Sequence, residues 1–212
     1  MNSIAVRLKR HYLPLIIVSL ISALIFFLTW KNFDSITFIA DSTGYISLIL
    51  LASSLLIGSF NLLLKRTNPI SSYFRRDLGI YGGTLAVVHS ITGLFVHMRG
   101  NMWTYFLNKS EQGYSIRLDS FGLANYIGVL CALLIVLLII TSNDYSIKKL
   151  NPANWKNIQR ITYLMFTLAL VHSVYYRIVA DNLNRIYYLY LPILGLILVF
   201  QFIGIKIRIT RI

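Results

Sequence analysis

The apolar residues of this chain fall into long blocks instead of the alternating apolar and polar positions of amphipathic soluble helices. A helix needs about 20 mainly apolar residues to cross the hydrocarbon core of a bilayer. Six blocks meet this requirement: Leu13–Trp30, Tyr45–Leu64, Leu78–Val96, Leu123–Thr141, Ile158–Val179 and Tyr187–Ile207. The pattern therefore predicts an all-α integral membrane bundle of six transmembrane helices.

The composition supports this class. Of the 212 residues, 57% are hydrophobic and 13% are charged, against about 25% charged in soluble domains. Basic residues precede the first block, as in a signal peptide. Its apolar run is longer than the usual signal core of about 7–15 residues, however, and no small-x-small cleavage site follows it. We expect a retained span, with residues 1–212 forming a single transmembrane domain.

The net charge of +13 is explained by membrane topology. With a cytoplasmic N-terminus, the inner segments carry fourteen basic and two acidic residues, and the outer segments carry six basic and five acidic residues. Cytoplasmic loops of membrane proteins have this excess of lysine and arginine. The distribution predicts cytoplasmic termini and a multi-pass protein in the lipid bilayer of the cell membrane, and it argues against a nucleic-acid partner.

A small transporter or channel without a cofactor is the main alternative class. Proton-coupled carriers commonly hold acidic residues inside their spans, whereas all seven acids here are expected in loops or at helix ends. Internal repeats and spans broken at mid-membrane, which many transporters have, are not visible either. The single cysteine, Cys131, excludes enzymes that need paired thiols.

Two of the four histidines lie deep inside predicted spans. His89 lies 13 residues after Arg76, about 20 Å along a helix, and His172 lies 12 residues after Arg160, about 18 Å. Histidines at matching depth on helices that run in the same direction can hold a planar metal macrocycle between them, and ligation by two histidines favours electron transfer. Alternatively, both are buried polar groups bonded to serine, threonine or backbone carbonyls.

The residues near these histidines are less specific. Gly82, Gly83 and Gly93 flank His89, and such glycines permit close approach either of a ligand or of another helix. His11 precedes the first span among basic residues, so we expect an interfacial side chain there.

The motifs that end at the two deep histidines resemble those of the ferric reductase-like transmembrane superfamily. These motifs are RRDLGIYGGTLAVVH, which ends at His89, and NWKNIQRITYLMFTLALVH, which ends at His172. The superfamily includes eukaryotic ferric reductases, NADPH oxidases and the haem-binding membrane subunit of the bacterial methionine sulfoxide reductase system. The bacterial members without a flavin domain look most similar. The likeness covers roughly Arg75 to Tyr176, and it implies a haem-binding core at about 45–180.

The resemblance implies that His89 and His172 are the axial ligands of one haem b. Members with two haems carry a further histidine near the cytoplasmic end of each helix. The matching positions here, 14 residues before His89 and 13 before His172, are Arg75 and Gln159. Arginine cannot ligate iron and glutamine is a poor replacement for histidine, so a second haem is not expected.

The resemblance also implies a function. We expect a membrane b-type cytochrome that transfers single electrons as the membrane subunit of an oxidoreductase. No flavin or nicotinamide domain is visible in the sequence. We therefore expect a quinol or a partner reductase as the electron donor and an acceptor on the outer face. A quinone is accordingly a second candidate cofactor.

Three further residues are candidates for the outer end of this site. His97 lies eight residues beyond His89, too far along the helix to share its iron. It is an interfacial residue, a contact of a haem propionate or quinone head group, or a ligand of a metal substrate. Arg99 and Arg177 follow the two histidine-bearing spans. They either pair with propionates, as arginine does with carboxylates, or only mark the ends of spans.

Overall fold

The structure, a computed structural model, describes residues 4–29, 34–64, 69–99, 101–111, 113–179, 184 and 186–209. Its helices are α1 (Ile4–Arg7), α2 (Leu13–Thr29), α3 (Ser35–Leu63), α4 (Pro69–Gly93), α5 (Ser120–Thr141), α6 (Asp144–Leu150), α7 (Pro152–Gln159), α8 (Ile161–Val179) and α9 (Leu191–Ile209). Single π-helical segments at Leu8–Tyr12 and Ile186–Tyr190 precede α2 and α9. The predicted all-α class is confirmed.

Some sequence-based predictions fall on residues outside these ranges. They concern the predicted end of the first span and part of the charge distribution: Trp30, Lys31, Lys65, Arg66, Asp181, Arg185 and Arg211.

Four helical stretches are long and apolar enough to cross a membrane. These are Ile4–Thr29, Ser35–Asn61, Ser120–Thr141 and Ile186–Ile207. Helices α4 and α8 have 25 and 19 residues, but polar and charged side chains lower their mean hydropathy. These long apolar helices identify the chain as a membrane protein. Six spans and cytoplasmic termini stay predictions.

The outward-facing surface of α2 is strongly apolar. Leu20, Leu24 and Leu28 expose 65%, 55% and 68% of their surface. A soluble protein rarely exposes a contiguous apolar patch of this kind, whereas lipid tails solvate it without cost. This surface therefore supports insertion in a bilayer.

The core of the bundle lies between two helix pairs. Helix α3 packs along α4, and α5 packs along α8. The largest core cluster joins α3, α5, α8, the second π-helical segment and α9. Its buried members are Leu48, Leu51, Ala52, Leu55, Ile135, Leu138, Met165, Phe166, Leu170, Tyr190 and Ile197. Burial of each large aliphatic side chain in such a cluster contributes about 1.5–3 kcal/mol relative to an aqueous reference.

The long connection between α4 and α5 is ordered. A short 3₁₀ helix, Met102–Tyr105, is followed by strands β1 (Leu107–Ser110) and β2 (Gly113–Ile116), which pair in antiparallel register. Gly113 has a φ of 121°, a conformation that side chains disfavour. Tyr105 is 1% exposed and links this connection to the end of α4 by hydrogen bonds. Its hydroxyl accepts from the backbone N–H groups of His97 and Met98 and donates to the carbonyl of Gly93.

The N-terminal segment docks on α4 through a buried carboxylate. Asp77 is fully buried, and it accepts hydrogen bonds from Arg7, from Nδ1 of His11 at 2.5 Å and from Tyr12. His11 is 7% exposed, so its side chain contacts protein and not lipid or solvent, and its position at the membrane interface stays a prediction. The side chain is buried because the segment before α2 folds back against α4, which the local sequence does not reveal.

Asp77 also corrects the prediction about acidic residues. It lies eight residues inside α4, not in a loop or at a helix end. Burial is tolerated because a cationic partner and hydrogen bonds satisfy the carboxylate.

Candidate functional site

The structure brings the two deep histidines together. The ring centroids of His89, on α4, and His172, on α8, lie 6.2 Å apart, and the ring planes are inclined by 80°. The two helices belong to different pairs, so each side chain crosses the interface between the α3–α4 and α5–α8 units. Both residues are half-buried.

Each imidazole is oriented by a backbone carbonyl of the neighbouring helix. Nδ1 of His89 lies 2.8 Å from the carbonyl oxygen of Ala40 on α3, and Nδ1 of His172 lies 2.8 Å from that of Ala124 on α5. A carbonyl only accepts, so Nδ1 carries the proton in both rings. Nε2 of each neutral ring then keeps its lone pair. Neither Nε2 atom has a hydrogen-bond partner among the described residues.

A glycine opposite each ring makes room for it. A Cβ at Gly44 would lie 2.8 Å from Nδ1 of His89, and a Cβ at Gly128 would lie 2.8 Å from Cε1 of His172. Each glycine lies four residues, about one turn, after the alanine whose carbonyl holds the ring. In both cases, therefore, a backbone carbonyl holds the histidine ring and a glycine one turn later leaves room for it.

The glycines predicted from sequence have another role. A Cβ at Gly82 would contact Leu50 and Leu51 on α3, and one at Gly83 would contact Ile139 on α5. These two glycines serve helix packing. A Cβ at Gly93 would meet nothing within 4 Å.

Arg75 on α4 and Gln159 on α7 lie at the other end of the helix pairs, and the Arg75 side repeats this glycine geometry without a histidine. Nη1 of Arg75 lies 2.6 Å from where a Cβ of Gly58 would be, and Gly58 follows Gly44 by 14 residues, as His89 follows Arg75. On the other side, Gln159 hydrogen-bonds to Thr141 at 3.1 Å and lies 3.4 Å from Oγ of Ser142. Arginine and glutamine side chains thus fill the places opposite α3 and α5.

Aromatic rings extend from His172 toward the outer connection. The centroid of Tyr176 lies 5.0 Å from that of His172 and 6.0 Å from that of His97, on which it stacks. Phe121 contacts both Tyr176 and His97. The hydroxyl of Tyr176 donates to Oδ1 of Asn125 at 2.7 Å. His97 is exposed and lies one ring beyond the histidine pair.

The two candidate arginines differ in their surroundings. Arg99 forms a salt bridge with Asp34 just before α3, and both side chains are substantially exposed. Arg177 lies five residues beyond His172 on α8. Its Nε is buried and has no hydrogen-bond partner among the described residues. A buried donor of this kind suits an anionic partner.

A family model for the ferric reductase like transmembrane component matches residues 43–170. The chain belongs to this family. The match includes Gly44, His89 and Gly128 and ends two residues before His172. Membership indicates a role in electron transfer within a membrane, and the resemblance found in the sequence is confirmed. No solved structure matches the chain.

The sequence did contain a signal for two of these glycine contacts, outside the motifs that end at the histidines. Gly44 and Gly58 are separated by the same 14 residues as Arg75 and His89. Since α3 and α4 are antiparallel neighbours, equal spacings on the two helices place both pairs in register. The carbonyls of Ala40 and Ala124 have no such signal, because any residue supplies a backbone carbonyl.

Proposed function

We propose that the protein is a membrane b-type cytochrome in which His89 and His172 ligate one haem from opposite faces. When bound, the haem supplies a reversible one-electron carrier. The observation that carries the proposal is the mutual placement of the two imidazoles, with Nδ1 engaged on each and Nε2 available. The proposed location is the cell membrane, with six spans and both termini in the cytoplasm.

The separation of the rings fits a shared metal. Two imidazoles that bind one metal from opposite sides at about 2.0 Å have ring centroids roughly 6 Å apart. The described centroids are 6.2 Å apart. Metal-bound histidines usually donate their other N–H to a carbonyl or carboxylate, which fixes the tautomer and the ring orientation. The carbonyls of Ala40 and Ala124 occupy this role.

An unpartnered buried donor on the helix that carries His172 also fits a haem. Nε of Arg177 lacks a partner among the described residues, and haem propionates are anionic acceptors. Arg177 is therefore the better propionate contact of the two arginines, because Arg99 already pairs with Asp34. His97 stacks on Tyr176 and is proposed as a packing residue at the outer edge of the site.

We propose a single haem per chain. Arg75 lies against Gly58 and Gln159 bonds to α5, so neither cytoplasmic-end position offers an imidazole. In the proposed role the protein is the membrane subunit of an oxidoreductase. It exchanges electrons with a quinol or partner reductase and with an acceptor on the outer face.

Haem stoichiometry tests the proposal. The protein is purified from haem-replete cells, and haem is measured by pyridine haemochrome in the wild type, His89→Ala, His172→Ala and His97→Ala. We expect about one low-spin haem per chain, lost in the first two variants and kept in His97→Ala, the matched control. A colourless wild type contradicts the cytochrome proposal, and two haems per chain contradict the single site.

A further inference from the structure

A second polar site lies at the other end of the helices that carry the histidines. A cavity of about 80 Å³ opens between α3, α4, α8 and α9, and its polar lining comes from Ser59, Arg75, Tyr163 and Gln201. One water needs a cavity of roughly 10–15 Å³. The cavity therefore holds several waters or a small head group, and it is too small for a porphyrin.

The position of Arg75 follows from the matching 14-residue spacings on α3 and α4. Gly58 opens α3 opposite Arg75 as Gly44 opens it opposite His89, so a guanidinium stands where the repeat would place a second imidazole. None of the salt bridges in the described part of the chain involves Arg75. A guanidinium in a helix bundle strongly favours an acceptor partner.

The neutral groups add both donors and acceptors. The hydroxyl of Tyr163 donates to Oε1 of Gln201 at 3.2 Å, and Nε2 of Gln201 donates to the carbonyl of Leu55 at 3.3 Å. The phenolic oxygen of Tyr163 still accepts, and the second N–H of Gln201 still donates. The cavity thus combines the guanidinium of Arg75 with two neutral side chains, Tyr163 and Gln201, which can accept and donate hydrogen bonds respectively.

The cavity opens on the exterior of the bundle. Tyr163 and Ile205, which line it from α8 and α9, expose 39% and 57% of their surface. Ile205 belongs to the candidate membrane span Ile186–Ile207. In the proposed six-span bundle, a ligand dissolved in the membrane therefore reaches the polar lining from this side.

We propose that this cavity binds the head group of a membrane quinone. The carbonyl oxygens of the oxidised ring accept hydrogen bonds from Arg75 and Gln201, and the hydroxyls of the reduced ring donate to Tyr163. An anionic phospholipid head group usually needs several cations, and Arg75 is the one cation in the described lining. The proposal rests on the quinol option of the proposed function and gives it a site, whereas quinone binding at this site does not require the haem.

Direct binding tests the site. The protein is placed in phosphatidylcholine nanodiscs and titrated calorimetrically with decylubiquinone and with a short-chain menaquinone analogue. We expect Arg75→Gln and Gln201→Leu each to weaken binding of the preferred analogue at least tenfold. Arg76→Gln is the matched control, since Arg76 is the neighbouring residue and pairs with Asp144. It should retain the affinity of the wild type.

Further arms separate the possible outcomes. The His89→Ala variant should bind the quinone with unchanged affinity, so loss of the haem and loss of the quinone are scored independently. Tyr163→Phe, which keeps the ring, should weaken the quinol form more than the quinone form. The proposal is overturned if Arg75→Gln binds quinone like the wild type. It is equally overturned if the wild type binds no quinone and instead retains phosphatidylglycerol that Arg75→Gln loses.

Discussion

The imidazole rings of His89 and His172 face each other across the interface between two helix pairs, with centroids 6.2 Å apart. Each ring is held by a carbonyl one turn before the glycine that makes room for it. The rings are therefore oriented by backbone groups of α3 and α5, and not by each other. This arrangement leaves Nε2 of both rings available for a shared metal, and it gives the glycines a role that can be measured.

Adding a methyl group at Gly44 or Gly128 should displace a ligand ring. In either alanine variant, the new Cβ would lie 2.8 Å from the imidazole, and the ring cannot withdraw without losing its carbonyl partner. We expect haem content to fall by at least half in Gly44→Ala and Gly128→Ala, or the low-spin spectrum to become partly high-spin, as measured by pyridine haemochrome and absorption spectroscopy.

Gly93→Ala is the matched control for these substitutions. It lies on α4 one turn beyond His89, and its Cβ would meet nothing within 4 Å. Alanine raises helix propensity by about 1 kcal/mol at the interior positions Gly44 and Gly128 and by less at Gly93, the last residue of α4, so propensity cannot explain a loss of haem in the first two variants. Equal haem content in Gly44→Ala, Gly128→Ala and Gly93→Ala would show that the glycines have no part in positioning the ligands.

The two arginines near the outer end should affect the haem differently. Arg177→Ala removes the half-buried cation that we propose as a propionate contact. Because a cation stabilises the reduced, more negative form of the site, the midpoint potential should fall, on the order of tens of millivolts, in a spectroelectrochemical titration. Arg99→Ala removes an exposed residue that pairs with Asp34 and should leave the potential unchanged. A larger shift in Arg99→Ala than in Arg177→Ala would reverse the assignment.

The sequence was sufficient to place the two histidines but not to orient them. Depth along a helix follows from a rise of about 1.5 Å per residue, so matching distances of His89 and His172 from basic residues predicted a shared level. Orientation depends on the carbonyls of Ala40 and Ala124. Backbone acceptors leave no mark in the sequence, and only the packing of α3 and α5 reveals which ones are near.

The contact of the N-terminal segment with α4 could not be predicted from the sequence. Arg7 and His11 belong to a basic run that local reasoning assigns to the cytoplasmic surface, and Asp77 follows two arginines in another such run. Their contact joins residues 66 to 70 positions apart. It requires the segment before α2 to lie against α4, and this is a tertiary preference that hydrophobic patterning and charge counting do not encode.

This buried contact should contribute substantially to stability. Replacing Asp77 with asparagine removes the negative charge and leaves Arg7 and His11 beside a neutral group. Breaking a buried ion pair costs about 3–5 kcal/mol; because Arg7 remains 20% exposed, we expect about 3 kcal/mol. The melting temperature in detergent should fall by several degrees.

Asp144→Asn is the control for this charge removal. Asp144 pairs with Arg76, whose guanidinium holds the pKa of the Asp144 carboxyl below its usual range. The stabilisation from this pair is therefore present above the ordinary carboxyl pKa and is lost as the pH falls. Since Asp144 is 51% exposed, its loss should cost less than about 1 kcal/mol. A similar loss of stability in both variants would contradict a special role for the buried carboxylate.

The outer connection should depend on a single hydroxyl. Tyr105→Phe keeps the buried ring but removes the group that accepts from His97 and Met98 and donates to Gly93. Two backbone N–H groups then lose their acceptor. Because this turn is partly exposed, water replaces the hydroxyl, and the net loss is about 0.5–1.5 kcal/mol for each hydrogen bond. Amide hydrogen exchange in residues 94–99 should accelerate at least tenfold, whereas Tyr114→Phe, on the exposed hairpin, should leave it unchanged. Tyr176 stacks on His97 and contacts His172. Greater motion of this turn should therefore also make the surroundings of the histidine pair less uniform. If exchange in this turn is as slow in Tyr105→Phe as in the wild type, the turn is held by packing of the ring alone.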